Sequence, residues 1–387
     1  MFDTSLEIAV TAGSALIVYH HALYPRLAAM LGDRVPAGQP APARRELPRV
    51  TVVMPAFNEA RFIAAKIDSL AEQDYPSDRL EILIGCDGCT DATAALARAA
   101  AARHPQLRII ISDHARNRGK VAVLNDLMRQ ARGGITVLTD VSALLPADAV
   151  RRLVERFDSP AVGAVGAGYC PAEDTTDGEK AYWAYQGRIK RGESRLGGLI
   201  GAHGSCYAIR TGLYRSLAPD TVNDDFLIPM QIALRGWRTV YAPEIRVREL
   251  EATANRADFR RRIRIGRGNA QQLAAVLPQL LRCRPGLALA FLSGKGARVL
   301  MPFLMLLVLA GSVVGAAMGS VPMLALACGQ AVAYLAAALP MLRPGLQRVG
   351  KLEALRYLVA GHVASAVGVT QFITGRRHGT WQRVAQA

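Results

Sequence analysis

Carboxylates stand just after three strand-like or turn-like stretches of this 387-residue chain. They are Asp87 in ILIGCDGCTD, Asp140 in ITVLTDVSA, and the adjacent Asp224 and Asp225 in TVNDDFLIPM. Acids so placed offer two kinds of chemistry: a carboxylate can hold a hard divalent cation against a phosphate, or take a proton from an attacking hydroxyl. Lys120 follows Asn117-Arg118-Gly119 where a helix is expected to begin. Its ammonium and the free N–H groups of that first turn could receive a phosphate oxygen. Arg260, Arg261, Arg262, Arg264 and Arg267 form a dense basic run, and guanidinium groups can hold a diphosphate bidentately. The ligand these residues suit carries a diphosphate.

The elements that must position them are short β-rich runs at 50–55, 80–85, 107–112 and 135–139, separated by helix-length, alanine-rich segments. That alternation predicts βαβ units and a parallel sheet. Ligands of such sheets bind outside the carboxyl ends of the strands, where Asn58-Glu59, Asp87 and Asp140 follow theirs, so the acids are expected to converge. Each residue also has a local use. Thr90 or Asp91 could cap the helix after Asp87, and Asp91 suits that place better. Glu59 is expected in the first turn of its helix, where a carboxylate complements the dipole, and Asp224 and Asp225 could cap theirs. Lys120 could be a solvated surface lysine.

Hydrophobic residues make up 51% of the chain, which predicts a part in lipid. Ile8–Leu23 is apolar but interrupted by His20 and His21; without a basic leader or small-residue cleavage pattern it reads as an anchor. Val299–Met318 and Val321–Leu342 carry no charge, are long enough for a bilayer core of about 30 Å, and are separated only by Gly319 and Ser320. They predict a hairpin. Lys295 and Arg298 precede it and Arg343, Arg348 and Lys351 follow, which puts both flanks in the cytoplasm. Around the anchor the pattern agrees, with Asp3 and Glu7 before it and Arg26, Arg34, Arg44 and Arg45 after. Tyr357–Thr374 is apolar enough to cross, yet crossing would strand Arg376, Arg377 and Arg383 outside. An interfacial or re-entrant helix with Trp381 at the headgroups is expected.

The expected layout is an anchor over 1–27, a cytoplasmic α/β domain over 48–256, a basic interfacial segment over 257–296 and a C-terminal membrane region over 297–387. This describes an integral protein of a bacterial-type inner or plasma membrane. A net charge of +16 is the footprint of a phosphate binder. No nucleic-acid-binding motif accompanies it, so membrane lipids and a diphosphate, not nucleic acid, are the expected partners. Cys86-x-x-Cys89 lacks the further ligands of a zinc site and reads as a turn with structural thiols.

Several motifs in order resemble the membrane-integrated family 2 glycosyltransferases, relatives of the hyaluronan, chitin and cellulose synthases. VMPAFNEARFI resembles their opening strand and Asn-Glu turn, CDGCTDAT their Asp-Gly-Ser-Thr-Asp turn, and NRGKVAVLNDLM their Gly-Lys helix with a downstream Asn, here Asn125. LTDVSALLPADAV takes the place of Asp-x-Asp, GAHGSCYAIR that of the acceptor-side strand, and VNDDFLIPMQIALRG that of the Glu-Asp helix. FRRRIRIGRGNAQQL takes the place of Gln-x-x-Arg-Trp. The resemblance implies a GT-A fold, a Rossmann-like nucleotide-sugar-binding domain. It implies donor binding by Pro55, Asn58, Glu59, Asp87, Lys120, Asp140, Arg261 and Arg264, with Mg²⁺ or Mn²⁺ on Asp140. Asp225 would be the general base of an inverting transfer, with Asp224 beside it.

Two departures bear on product. Ser142 stands where the second Asp would be, which puts the metal in question, and Ile265 replaces the Trp on which an acceptor sugar could stack. Trp237 reads as core, and His203-Gly204-Ser205 as lining the acceptor entrance. The expected activity is transfer of one sugar from a nucleotide sugar, UDP-linked by preference, to a glycan or lipid-linked acceptor at the bilayer. A processive polysaccharide synthase is one alternative; a catalytically weak partner subunit or sugar-nucleotide sensor is another.

Overall fold

The computed structural model describes residues 4–33, 46–173, 175, 177–251, 255–342 and 350–375. Asp3, Arg34, Arg44, Arg45, Arg343, Arg348, Arg376, Arg377, Trp381 and Arg383, which enter the charge and interface argument above, lie outside the described residues. The chain divides into two units, one of 27–254 with 276–291 and 378–387, the other of 1–26, 255–275 and 292–377.

The first unit is built on an eight-stranded sheet. Its strands are β1 (Val50–Ala56), β2 (Leu80–Asp87), β3 (Arg108–His114), β4 (Ile135–Leu138), β5 (Ala143–Leu144), β6 (Val162–Cys170), β7 (Tyr207–Arg210) and β8 (Arg238–Glu249), in the order β3-β2-β1-β4-β7-β6-β8-β5. The four strands read from the sequence are parallel to one another, as expected. The remainder is mixed. β7 runs antiparallel to β4 and β6, with Leu138 opposite Tyr207, so the entry to β7 meets the exit of β4. The segment before β7 is thereby brought to the edge where Asp140 emerges.

Every residue of β1 is buried, as a strand covered on both faces requires. Successive side chains leave opposite faces. Val52 and Met54 join Ile63, Ile67, Leu70 and Ile82 in one core, while Val53 joins Leu83, Val121, Leu124, Leu127 and Tyr207 in the other. Trp237 packs against that second core, in keeping with its sequence reading.

In the second unit, helices Ala297–Ala317 and Val321–Leu342 form the expected sequential pair. The N-terminal helix brings Val10 against Val308 and Met323. This helix is longer than Ile8–Leu23: together with a π-helical turn at Tyr19–Leu23 it continues from Thr4 to Asp33. The two histidines that interrupt its apolar run lie in that π-helical turn and find partners on other helices. His20 Nδ1 bonds the Ser293 carbonyl at 2.9 Å and His21 Nε2 meets His362 Nε2 at 2.8 Å. Gly350–Ile373 is one unbroken helix, beginning before the expected 357. The basic helix Asn255–Val276 crosses it so closely that a Cβ on Gly368 would lie 2.2 Å from the Ile263 carbonyl oxygen. Among the described residues, Thr4–Asp33, Pro285–Ala317 and Val321–Leu339 are helices long and apolar enough to cross a membrane.

Candidate active site

The carboxyl edge of β4 gathers the acids. Asp140 follows β4, Lys120 opens the helix Lys120–Gln130, and Asp224 and Asp225 open Asp224–Leu234. Lys120 Nζ lies 3.0 Å from Asp140 Oδ1 and 3.3 Å from Asp224 Oδ1, so one ammonium links the two acids. Asp224 is accordingly a buried ion-pair partner, and Asn223 makes no side-chain capping bond. The Asp225 carbonyl accepts the Ala202 N–H at 2.9 Å, which ties the segment before β7 to this helix. Gly204 lies against both Asp140 and Asp225. A Cβ there would fall 2.7 Å from Asp140 Oδ2 and 3.7 Å from Asp225 Oδ2.

Burial opposes charge on Lys120, yet the carboxylates of Asp140, Asp224 and Asp225 together outweigh it and hold its pKa above the ordinary lysine value. Burial raises the Asp224 carboxyl, with Lys120 pulling the other way and Asp225 and Asp140 adding to the rise. Tyr207 beneath them is raised well above the usual phenol by burial first and by Asp224 and Asp225 next. Its hydroxyl and that of Ser205 are buried without a hydrogen-bond partner among the described residues.

On the other side of Lys120 two turns lock together. Asp87 is fully buried, Oδ1 accepting the Arg118 N–H and Oδ2 the Gly119 N–H, both at 2.8 Å. Asp87 thus fixes the turn from which Lys120 departs. Gly88 has φ +63°, and a Cβ on it would meet the Asn117 nitrogen at 2.4 Å, so backbone lies directly on backbone. Asn58, at φ 54°, donates to Thr90 Oγ1 and accepts the Thr90 N–H. Asp91 accepts the Thr93 N–H at the mouth of the next helix, as its sequence reading anticipated, and also the Ala60 N–H. Glu59 stands ahead of its helix, not within the first turn as expected. The regular helix starts at Ile63, and the Glu59 carbonyl accepts the Phe62 and Ile63 N–H groups. Pro55 faces the β4 side past the last paired residue, Val53, so its missing N–H leaves no ladder bond unmade.

Arg261 and Arg264 are exposed on Asn255–Val276, in the second unit. On the same helix the Arg262 guanidinium lies 3.4 Å from the Tyr357 ring centroid and bonds the Tyr357 carbonyl at 3.0 Å. Asn125 is structural: its amide bonds the Leu217 N–H and carbonyl and accepts the Tyr214 hydroxyl. His203 stacks on Tyr169 with centroids 3.9 Å apart. All six cysteines are free, and burial pushes the Cys86 thiol up to about 12.

Lys66 was not among the expected site residues. It is wholly buried, bonding Thr139 Oγ1 at 2.7 Å and the Ala143 carbonyl, and burial draws its ammonium down to about 8. A signal existed, because Lys66 shares the apolar helix face of Ile63, Ile67 and Leu70.

Among the described residues no three His, Cys, Asp or Glu side chains are grouped to hold a metal. The Ser142 carbonyl accepts the Leu250 N–H at 2.8 Å. One carboxylate with substrate phosphates and water is a sufficient complement for Mg²⁺, so Asp140 fits a cation that is shared with a diphosphate.

Residues 48–268 match the family described as glycosyltransferase like family 2. Beta-monoglucosyldiacylglycerol synthase of Synechocystis sp. is 27% identical over 232 residues, covering 58% of this chain and 48% of the relative, so the match spans about half of that protein. N-acetylglucosaminyltransferase of Rhizobium meliloti is 25% identical over 307 residues, 74% of this chain and 71% of the relative. A solved mannosyltransferase from Pyrobaculum calidifontis, in complex with GDP-Man and Mn2+, is similar with TM-score 0.74 and 26% identity, covering 96% of this chain and 100% of that one. The mixed sheet, the strand-end carboxylates and the extent of the match agree: this chain belongs to the family 2 glycosyltransferases and has their GT-A fold.

Proposed function

We propose that this glycosyltransferase moves a single sugar from a nucleoside diphosphate donor to an acceptor hydroxyl at a membrane surface, with inversion at the anomeric carbon. One observation carries the reading. The Asp140 and Asp225 carboxylates both face Gly204, so a donor-side and an acceptor-side acid share one small space. As the acceptor oxygen bonds the sugar's C1, its proton passes to Asp225 and the bond from C1 to the diphosphate oxygen breaks. Lys120 exchanges its carboxylate contacts for the diphosphate oxygens, and the resemblance assigns Arg261 and Arg264 the positive charge for the departing nucleotide. Mg²⁺ or Mn²⁺, when bound by Asp140, supplies charge neutralisation at the diphosphate. Asp87 serves donor binding by holding the Lys120 turn, and Asn58 and Glu59 flank the same edge with Pro55.

The replacement of Trp by Ile265 supports single addition over processive synthesis. A lipid or lipid-linked glycan acceptor suits helices able to lie in a bilayer, and the flanking arginines and lysines support a cytoplasmic catalytic domain. A UDP-linked donor is the first reading; GDP-mannose is the second, favoured by the likeness to a mannosyltransferase that binds GDP-Man.

The test is nucleotide release by the detergent-purified full chain, given UDP- and GDP-sugars and a bilayer extract as acceptor source, with and without Mn²⁺. One donor should be consumed, with Asp225→Asn lowering turnover by about 10²- to 10⁴-fold and Asp140→Ala abolishing it. Turnover that survives Asp225→Asn would remove the base assignment, and silence with every donor would refute transfer.

A further inference from the structure

Burying a lysine in a core is costly unless the ammonium is well bonded, and an apolar side chain would fill the same space without that cost. The bonds of Lys66 show what its charge serves. Thr139 and Ala143, its two partners, flank the Asp140-Val141-Ser142 segment, so the ammonium closes the base of the loop that carries Asp140. Thr139 then reaches across the sheet, its hydroxyl donating to the Ser205 carbonyl at 2.6 Å. Ser205 in turn donates its N–H to His203 Nδ1 at 3.1 Å, and Gly204 lies between those two residues, against Asp140 and Asp225.

An ammonium has donors only. Thr139 Oγ1 must therefore accept from Lys66, which obliges its own proton to go to a carbonyl, and the short contact is to Ser205. The polarity runs one way, from Lys66 through Thr139 to the segment before β7.

We propose that Lys66 is a positioning residue for glycosyl transfer, a buried cationic clamp that sets the spacing between the donor carboxylate Asp140 and the base Asp225 by holding the 139–143 and 203–206 segments together. This rests on the transfer reading above. Lys66 touches no substrate; it acts through Thr139.

The test compares full-length wild type with Lys66→Met, Thr139→Val and Thr139→Ser in two measurements. In hydrogen exchange, Lys66→Met and Thr139→Val should speed exchange about tenfold or more in both segments while β1 and β2 amides keep their protection. Thr139→Ser, which keeps the hydroxyl, should behave as wild type. In steady-state kinetics kcat should fall by about 10²-fold in the first two variants, the scale of an ångström of misplacement, with donor KM moving only a few fold. The Thr139 variants retain Lys66 and keep the test open should Lys66→Met fold poorly. Faster exchange confined to 139–143, or wild-type kcat in Thr139→Val, would overturn the proposal. Wild type that consumes no donor would refute the transfer reading, while the exchange data would still decide whether the clamp exists.

Discussion

Gly204→Ala separates catalytic geometry from stability. The added Cβ would lie 2.7 Å from Asp140 Oδ2 and 3.5 Å from its Cγ, against ordinary contact beginning near 3.4 Å. The carboxylate must retreat from the added Cβ by roughly 0.7 Å while Lys120 holds its other oxygen at 3.0 Å. Misplacement of about 1 Å can cost about 10²-fold in rate, so kcat is expected to fall by about 10- to 100-fold. Stability should not follow. Gly204 does not occupy the left-handed region, so alanine suits its backbone, and the loss of unfolded-state freedom favours the fold by about 0.4–1 kcal/mol. Nucleotide release at saturating donor and a thermal melt of the same preparation give the two numbers. Wild-type kcat would refute the reasoning, for it would mean that the Asp140 to Asp225 spacing does not set the rate. A Tm several degrees lower would refute its second half.

Two further expectations concern the ion cluster. Lys120→Met leaves Asp140 and the buried Asp224 without their shared cation, and stability should drop by about 3 kcal/mol at neutral pH, with a smaller loss in acid where Asp224 takes a proton; an equal loss at both pH values in denaturant titrations would contradict this. The Asp224 carboxyl is raised on folding, so its contribution is greatest below the unfolded carboxylate value of about 4 and declines as pH rises through the raised value. The Tm of wild type minus that of Asp224→Asn should therefore fall from about pH 4 upward, and a difference independent of pH would sink the assignment.

What the sequence reveals here depends on how local each cause is. The parallel strands and their terminal acids were legible because a β-rich run and the residue after it are neighbours in the chain. So was the turn at Gly119, which ends where the Lys120 helix starts. The antiparallel insertion of β7 was not, since Leu138 finds Tyr207 only through the finished sheet. The partners of His20 and His21 were hidden for a similar reason, because Ser293 and His362 lie hundreds of residues away. The first turn assigned to Glu59 was set a few residues early, where three turn residues precede the helix. Lys66 was the readable omission: a charge at the i+3 position from Ile63 and directly before Ile67 signals a buried partner, and the expectation that lysines are solvated hid it.

The contact of Gly88 with the Asn117 backbone, joined by the two bonds from Asp87 to Arg118 and Gly119, has a consequence for recombination among relatives. Residues 86–91 and 116–120 are far apart in sequence but share one seam, where the Gly88 backbone lies on that of Asn117 and the Asp87 carboxylate bonds the backbone beyond it. A chimera that imports either turn alone must reproduce both the glycine and the path of the opposite strand of the seam. Given the proposed donor-binding role of these turns, libraries intended to alter donor preference should exchange the two together.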